Sequence, residues 1–206
     1  MLSNSAIRAN ARMQLKGKWG LSLAVCLLYS LILSAASSTG LGALILGGPL
    51  MVGMILYFLA LMRGSKPRLE YLFDGFKAFA STLGIYLWYT LWVMLWSLLF
   101  VIPGIIKALS YSMSFYITAD NPAIGIRNAL NISKKMMHGY KGKLFMLYLS
   151  FIGWGILCTL SLGIGFLWLT PYIQASVANF YSEVRQASIE NNVCTEEELA
   201  QINMQI

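Results

Sequence analysis

Charge is what this chain has least of. Only 11% of its 206 residues are Asp, Glu, Lys or Arg, where a soluble domain carries about 25%. Eight of them are acidic, namely Glu70, Asp74, Asp120, Glu183, Glu190 and the run Glu196–Glu198. None falls inside a long apolar stretch, which leaves an intramembrane acid dyad or a carboxylate proton relay without support. Histidine is reduced to His138, beside Gly139 in a basic segment. The three cysteines, Cys26, Cys158 and Cys194, stand far apart with neither disulfide-scaffold density nor metal-ligand spacing. A Walker loop, a His-Glu-x-x-His pair and a dinucleotide fingerprint are all missing. These absences set the expectation of a non-enzymatic protein with no catalytic residue, metal, cofactor or nucleic-acid partner.

What remains is 58% hydrophobic, with mean hydropathy +0.66 and net charge +7. Charge-free stretches run over 19–62, 78–106, 108–119 and 144–182. A helix crosses a ~30 Å hydrocarbon core with about 20 apolar residues, so the first and last stretches are each long enough for two crossings. Breaks at Ser37-Ser38-Thr39-Gly40 and Ser161–Gly165 divide them. The middle stretch reads either as one tilted helix or as a hairpin bent at Pro103-Gly104. The excess of Lys and Arg on cytoplasmic loops favours the hairpin, which puts the basic clusters at 63–77 and 127–143 on one side. The expected fold is therefore all-α, with six transmembrane helices near 19–38, 42–62, 81–102, 104–119, 144–161 and 165–182. They form three hairpins joined by cytoplasmic amphipathic helices, with both termini cytoplasmic. Residues 1–185 make one transmembrane domain and 186–206 an acidic tail, whose removal from 188 is expected to spare folding.

A faint repeat supports three hairpins. Lys16-Gly17-Lys18 precedes the first and Lys141-Gly142-Lys143 the third, and Pro49, Pro103 and Pro171 are placed near the starts of the return helices, where proline is tolerated. Chance likeness among apolar segments is the rival explanation. The segments between hairpins are amphipathic. Ile7, Ala11 and Leu15 recur every four residues beside Arg8, Arg12 and Lys16. Leu69, Leu72, Phe73, Phe76 and Phe79 share a face in the second. In the third, Asp120 or Asn121 caps a helix from Pro122 to before Gly139, with a stripe of Ile126, Leu130, Ser133 and Met137. Arg8, Arg12, Lys16, Lys134 and Lys135 are the expected contacts to an anionic membrane surface. The alternative is that these helices only brace the bundle.

The segment Leu99-Phe100-Val101-Ile102-Pro103-Gly104-Ile105-Ile106-Lys107-Ala108-Leu109-Ser110-Tyr111-Ser112-Met113, running on to Ala119-Asp120-Asn121-Pro122, is distinctive. So are Phe151-Ile152-Gly153-Trp154, Leu162-Gly163-Ile164-Gly165-Phe166-Leu167-Trp168 and Thr170-Pro171-Tyr172. Over about residues 5–185 the chain resembles the bacterial integral membrane family known as domain of unknown function nine-seven-five. The resemblance implies a multi-pass protein of the bacterial cytoplasmic membrane and brings no mechanism with it.

One intramembrane charge stands out. On a helix from Pro103, Lys107, Tyr111 and Ser114 align, with Ser110 adjacent, while the last span offers Gln174 and Asn179. An intramembrane lysine costs roughly 2.5–3.5 kcal/mol on insertion scales, so these six residues form a candidate ligand site. Against this, Lys107 is near enough to the outer end to snorkel, and hydroxyls and amides commonly bond between helices. The tryptophans Trp88, Trp92, Trp96, Trp154 and Trp168 read as lipid-facing or interfacial anchors. Two functions stay open. One is a protein that binds or helps transport a lipid or amphipathic peptide, as a permease, export accessory or immunity factor, with membrane lipids and an exporter subunit as partners. The other is a scaffold recruiting a protein through its amphipathic segments.

Overall fold

A computed structural model of the chain describes residues 2–38, 41–99, 101–194 and 199. Ten α-helices follow one another: α1 (Asn4–Leu15), α2 (Trp19–Ser37), α3 (Gly42–Met62), α4 (Tyr71–Asp74), α5 (Phe79–Leu99), α6 (Val101–Tyr111), α7 (Ser114–Asp120), α8 (Ile126–Met136), α9 (Lys141–Leu160) and α10 (Phe166–Glu190). Single 3-10 turns occupy Gly75–Ala78 and Pro122–Ile124, and no strand occurs among the described residues.

Four helical runs are long and apolar enough to cross a membrane: Trp19–Ser37, Gly42–Met62, Tyr71–Leu98 and Lys141–Leu160. The two other expected spans differ in kind. Residues 104–119 are divided between α6 and α7 by the turn at Ser112–Met113, and eleven residues of α6 rise only about 16 Å. The helix α10 is long, but its second half carries Glu183, Arg185 and Glu190, which lowers its hydropathy.

The centre of the molecule is α3, which contacts α1, α2, α4, α5, α7 and α10. Its glycines permit this crowding. A Cβ on Gly53 would run into the carbonyl of Leu72, and one on Gly75 into the carbonyl of Pro49, so α3 and α4 touch backbone to backbone. Gly48 likewise lies under Thr82 and Tyr86 of α5. The helix stops where Gly64, at φ +76°, turns the chain, and the Ser65 N–H closes on the Ala60 carbonyl at 3.0 Å. By contrast α2, α5 and α9 turn large apolar side chains outward, among them Leu31, Leu91, Met94, Leu98 and Leu160.

The amphipathic stripes face inward. Ile7, Ala11 and Leu15 are fully buried, and α1 packs mainly on α10. In α8, Leu130, Ser133 and Met136 are buried, with Met137 just beyond. The second segment divides: Leu72 is buried while Phe73 and Phe79 are exposed. The third helix begins later than its spacing predicts, because Gly125 at φ +78° interrupts it after the 3-10 turn. Asn121 caps the 3-10 turn instead, accepting from the Ala123 N–H at 3.2 Å, and α8 starts from Gly125 without a side-chain cap. The repeat also loses its detail. Gly17 makes a left-handed turn, whereas Gly142 sits inside α9. Pro49 and Pro171 lie within α3 and α10 rather than at their first residues, while Pro103 is third in α6.

The 185/186 boundary falls inside α10, and several described residues beyond it are packed. Ser188, Cys194 and Leu199 are buried, and Arg185 donates from Nη2 to the Leu199 carbonyl at 2.7 Å. A truncation at 188 therefore removes packed residues. The acidic run Glu196–Glu198 lies outside the described residues.

The glycine contacts make a test. Gly53→Ala has no room without moving the backbone of α4, and should destabilise the detergent-solubilised chain by about 1–3 kcal/mol. Gly153→Ala in α9 meets nothing within 4 Å and should stabilise by roughly 0.5–1 kcal/mol. Unfolding midpoints of the two variants moving the same way would contradict the packing.

Candidate functional site

The six residues aligned by the sequence do not assemble into one site. Lys107 is half-buried, with Nζ 5.0 Å from the centre of the Trp96 ring and 5.8 Å from that of Tyr111. Its charge is held by aromatic faces on α5 and α6. Ser110 turns back onto the Ile106 carbonyl at 2.6 Å, and Ser114 onto that of Tyr111 at 2.7 Å. A hydroxyl in an apolar environment finds its nearest acceptor in the preceding turn, so neither offers a free group to a ligand. Asn179 exchanges amide bonds with Gln14, donating at 2.6 Å and accepting at 3.1 Å, and also donates to the Ala175 carbonyl. Gln174 is half-buried on the same helix. The reason is helix order. The main contacts of α6 are with α5, α8 and α9, while α10 packs on α1, α2, α3, α8 and α9.

The strongest electrostatic feature is instead Asp120, which is 1% exposed at the end of α7. Arg63, at the end of α3, donates from Nη2 to Oδ1 at 2.6 Å. Tyr181 of α10 donates its hydroxyl to Oδ2 at 2.9 Å, and Arg185 Nε is 3.8 Å from the same oxygen. One carboxylate thus ties three helices together. A cavity of about 150 Å³ lies beside it, lined by Val52, Leu56, Arg63, Thr82 and Thr118 among others. Sequence reasoning treated Asp120 as a cap because it stands one residue beyond an apolar stretch. The available signal was the pairing of that lone acid with arginines placed just past two other charge-free stretches, Arg63 after 19–62 and Arg185 after 144–182.

A second feature opens on the outer surface of the helices. Arg12, Trp19, Trp154, Cys158, Gly165, Trp168, Leu169 and Tyr172 line a groove of about 350 Å³. The register of α1 sets its polarity. The Gln14–Asn179 pair lies about two turns beyond Tyr172 along α10, so Arg12 and Trp19 stand at one end and Gly165 at the other. Gly165 lies close under Cys158, whose Sγ would be 2.6 Å from a Cβ there, and this keeps the turn between α9 and α10 tight. Trp154 and Trp168 are each more than half exposed, so the groove opens outward. Among the described residues no carboxylate lines it. Arg12 was expected only at a membrane surface and the tryptophans only as anchors; their convergence depends on how α1 lies across α10. Of the other expected surface cations, Lys16, Lys134 and Lys135 are exposed and Arg8 is half-buried.

Among the described residues no group of His, Cys, Asp and Glu is arranged to hold a metal ion. The chain is thus an all-helical protein with four helices fit to cross a membrane and an aromatic groove lined by α1, α2, α9 and α10. It belongs to the family described as protein of unknown function DUF975, matched over residues 1–110 and 98–188. No curated protein and no solved structure matches it.

The Asp120 cluster predicts a large effect from a small change. Asp120→Asn keeps the shape but leaves two guanidinium groups without their counter-charge, which should cost about 3–5 kcal/mol. Tyr181→Phe removes one bond to an ionised acceptor and should cost about 1.5–3 kcal/mol. Denaturant unfolding of the full chain in detergent checks both, and an Asp120→Asn effect below that of Tyr181→Phe would show that the ion pair is not the tie.

Proposed function

We propose that this chain is a non-enzymatic, multi-pass protein of the bacterial cytoplasmic membrane that binds, or helps to transport, an amphiphile with an anionic end, a lipid or an amphipathic peptide. The observation that carries the reading is the groove: a guanidinium at one end of an aromatic-walled channel with no carboxylate among the described residues of its lining. The cation fits an anionic head and the Trp and Tyr faces fit an apolar tail, with their ring N–H and O–H groups suited to the water interface. The scaffold alternative has less to work with. The apolar stripes of α1 and α8, two of the amphipathic segments through which it would act, are taken up inside the fold.

In this reading six segments lie in the bilayer, with α6–α7 and α10 joining the four long apolar runs, and both termini are cytoplasmic. Support comes from the basic residues, which gather around α1, the 63–77 segment and α8, and from their absence near Ser38, Ile102 and Leu162. Irregular or polar helix is tolerated at membrane depth where protein surrounds it, as around α7.

Cysteines introduced at Ser38, Ile102 and Leu162 should label from outside intact cells, and one at Lys134 only after the membrane is opened. Labelling of the Ile102 position only from inside would refute the six-segment arrangement. For binding, the full chain in nanodiscs should prefer a fluorescent phosphatidylglycerol over phosphatidylcholine. Arg12→Gln should reduce that preference roughly fivefold, the equivalent of the ~1 kcal/mol that one Arg gains beside anionic headgroups. An unchanged preference in the variant would remove the groove from the account.

A further inference from the structure

The outer face of α8 is built differently from a solvated basic helix. Its inner stripe, Ala129, Leu130, Ile132, Ser133 and Met136, is packed into the body, which fixes the rotation of the helix. The opposite side then presents Asn128, Asn131, Lys134 and Lys135. Beyond the helix the chain reverses through Gly139 at φ +85°, returning His138 and Lys141, the first residue of α9, to the same place. These six polar side chains border one concavity of about 740 Å³, with apolar walls from Ile124, Ile132 and Val193.

Three ammonium groups around a hollow repel each other, and among the described residues no carboxylate lines it. None of the three lysines forms an ion pair among the described residues. Lys134 and Lys135 are accounted for in part by the negative end of the α8 dipole, whose last turn they occupy. That explanation does not reach Lys141, His138 or the two asparagines. The set supplies three ammonium donors, two amide NH₂ groups and an imidazole, with few acceptors, and this is the complement of phosphate oxygens. The volume lies within the 300–1,000 Å³ of ordinary small-ligand sites, larger than a single inorganic ion requires.

We infer that this concavity between α8 and the start of α9 binds a group carrying two or more phosphate charges. The chemistry is the same whether a membrane lipid presents the group or a soluble oligophosphate brings it. The site is remote in sequence from the aromatic groove, shares no residue with it and does not rest on the amphiphile reading.

The test uses the full chain in nanodiscs of phosphatidylcholine alone, titrated with inorganic tripolyphosphate by calorimetry and repeated in discs containing cardiolipin. Tripolyphosphate should bind in the neutral discs. Lys134→Gln, Lys135→Gln and Lys141→Gln should each weaken binding roughly fivefold, in line with ~1 kcal/mol per lost cation contact, and the triple variant should abolish it. The pair Lys16→Gln and Lys18→Gln, which removes charge elsewhere, should change it less than twofold, and so should Arg12→Gln. If cardiolipin displaces tripolyphosphate from the wild-type chain, the natural source is a lipid headgroup; if it does not, the source is soluble. Either result supports the site. Because Lys134 and Lys135 are exposed, their single variants should keep the wild-type unfolding midpoint. Absence of tripolyphosphate binding in the neutral discs, or an equal loss in the Lys16/Lys18 pair, would overturn the proposal.

Discussion

The arrangement depends on a buried charge. Removing Asp120 from water costs several kcal/mol unless its oxygens are paired, and the fold pairs both, one with Arg63 and the other with Tyr181 near Arg185. Because these groups come from the end of α3, the end of α7 and the second half of α10, the three helices have to meet at one level. Gly64 ends α3 immediately after Arg63, so the guanidinium emerges there and nowhere else along the helix. Arg185 extends the tie to the carbonyl of Leu199, which brings that residue into the body.

Away from that cluster, close approach replaces charge. Gly48, Gly53 and Gly75 bring α3 within backbone contact of α4 and α5, where any larger residue would hold the helices apart. Hydroxyls in the same region are satisfied locally. Ser110, Thr118 and Ser176 donate to carbonyls one turn earlier in their own helices, and Ser114 donates to the last carbonyl of α6. Polar residues therefore cost little here and line no channel, and the lysine among them is held by ring faces.

With α1 and α8 turned inward, their charged faces are what remains outside. On α1 this places Arg12 at the end of the aromatic groove, and on α8 it gathers the lysines around a concavity. The same packing step that braces the bundle creates both cationic features. A helix lying flat on a membrane with its apolar stripe in lipid would create neither.

The apolar runs, the turn at Ser161–Gly165 and the amphipathic period of 3–18 were legible in the residues, because hydropathy, glycine conformation and helical spacing act within a few positions. The family likeness was legible in the Ile-Pro-Gly-Ile and Asp-Asn-Pro segments for the same reason. The break at Ser112–Met113 and the late start of α8 were less so, since each depends on local backbone geometry that competes with an apolar pattern continuing past it. The partners of Asp120 left only a weak signal, and the Gln14–Asn179 pair and the shared groove of Arg12, Trp154 and Trp168 left none. Gln14 and Asn179 are 165 positions apart, and whether such residues touch is set by the register and crossing of helices. The sequence alone determined that the chain is helical, apolar and basic at its connections, because those properties are sums over neighbouring residues. Which charge is buried, which is caged and which lines a groove was decided only when the helices packed, because each outcome depends on side chains supplied by distant segments.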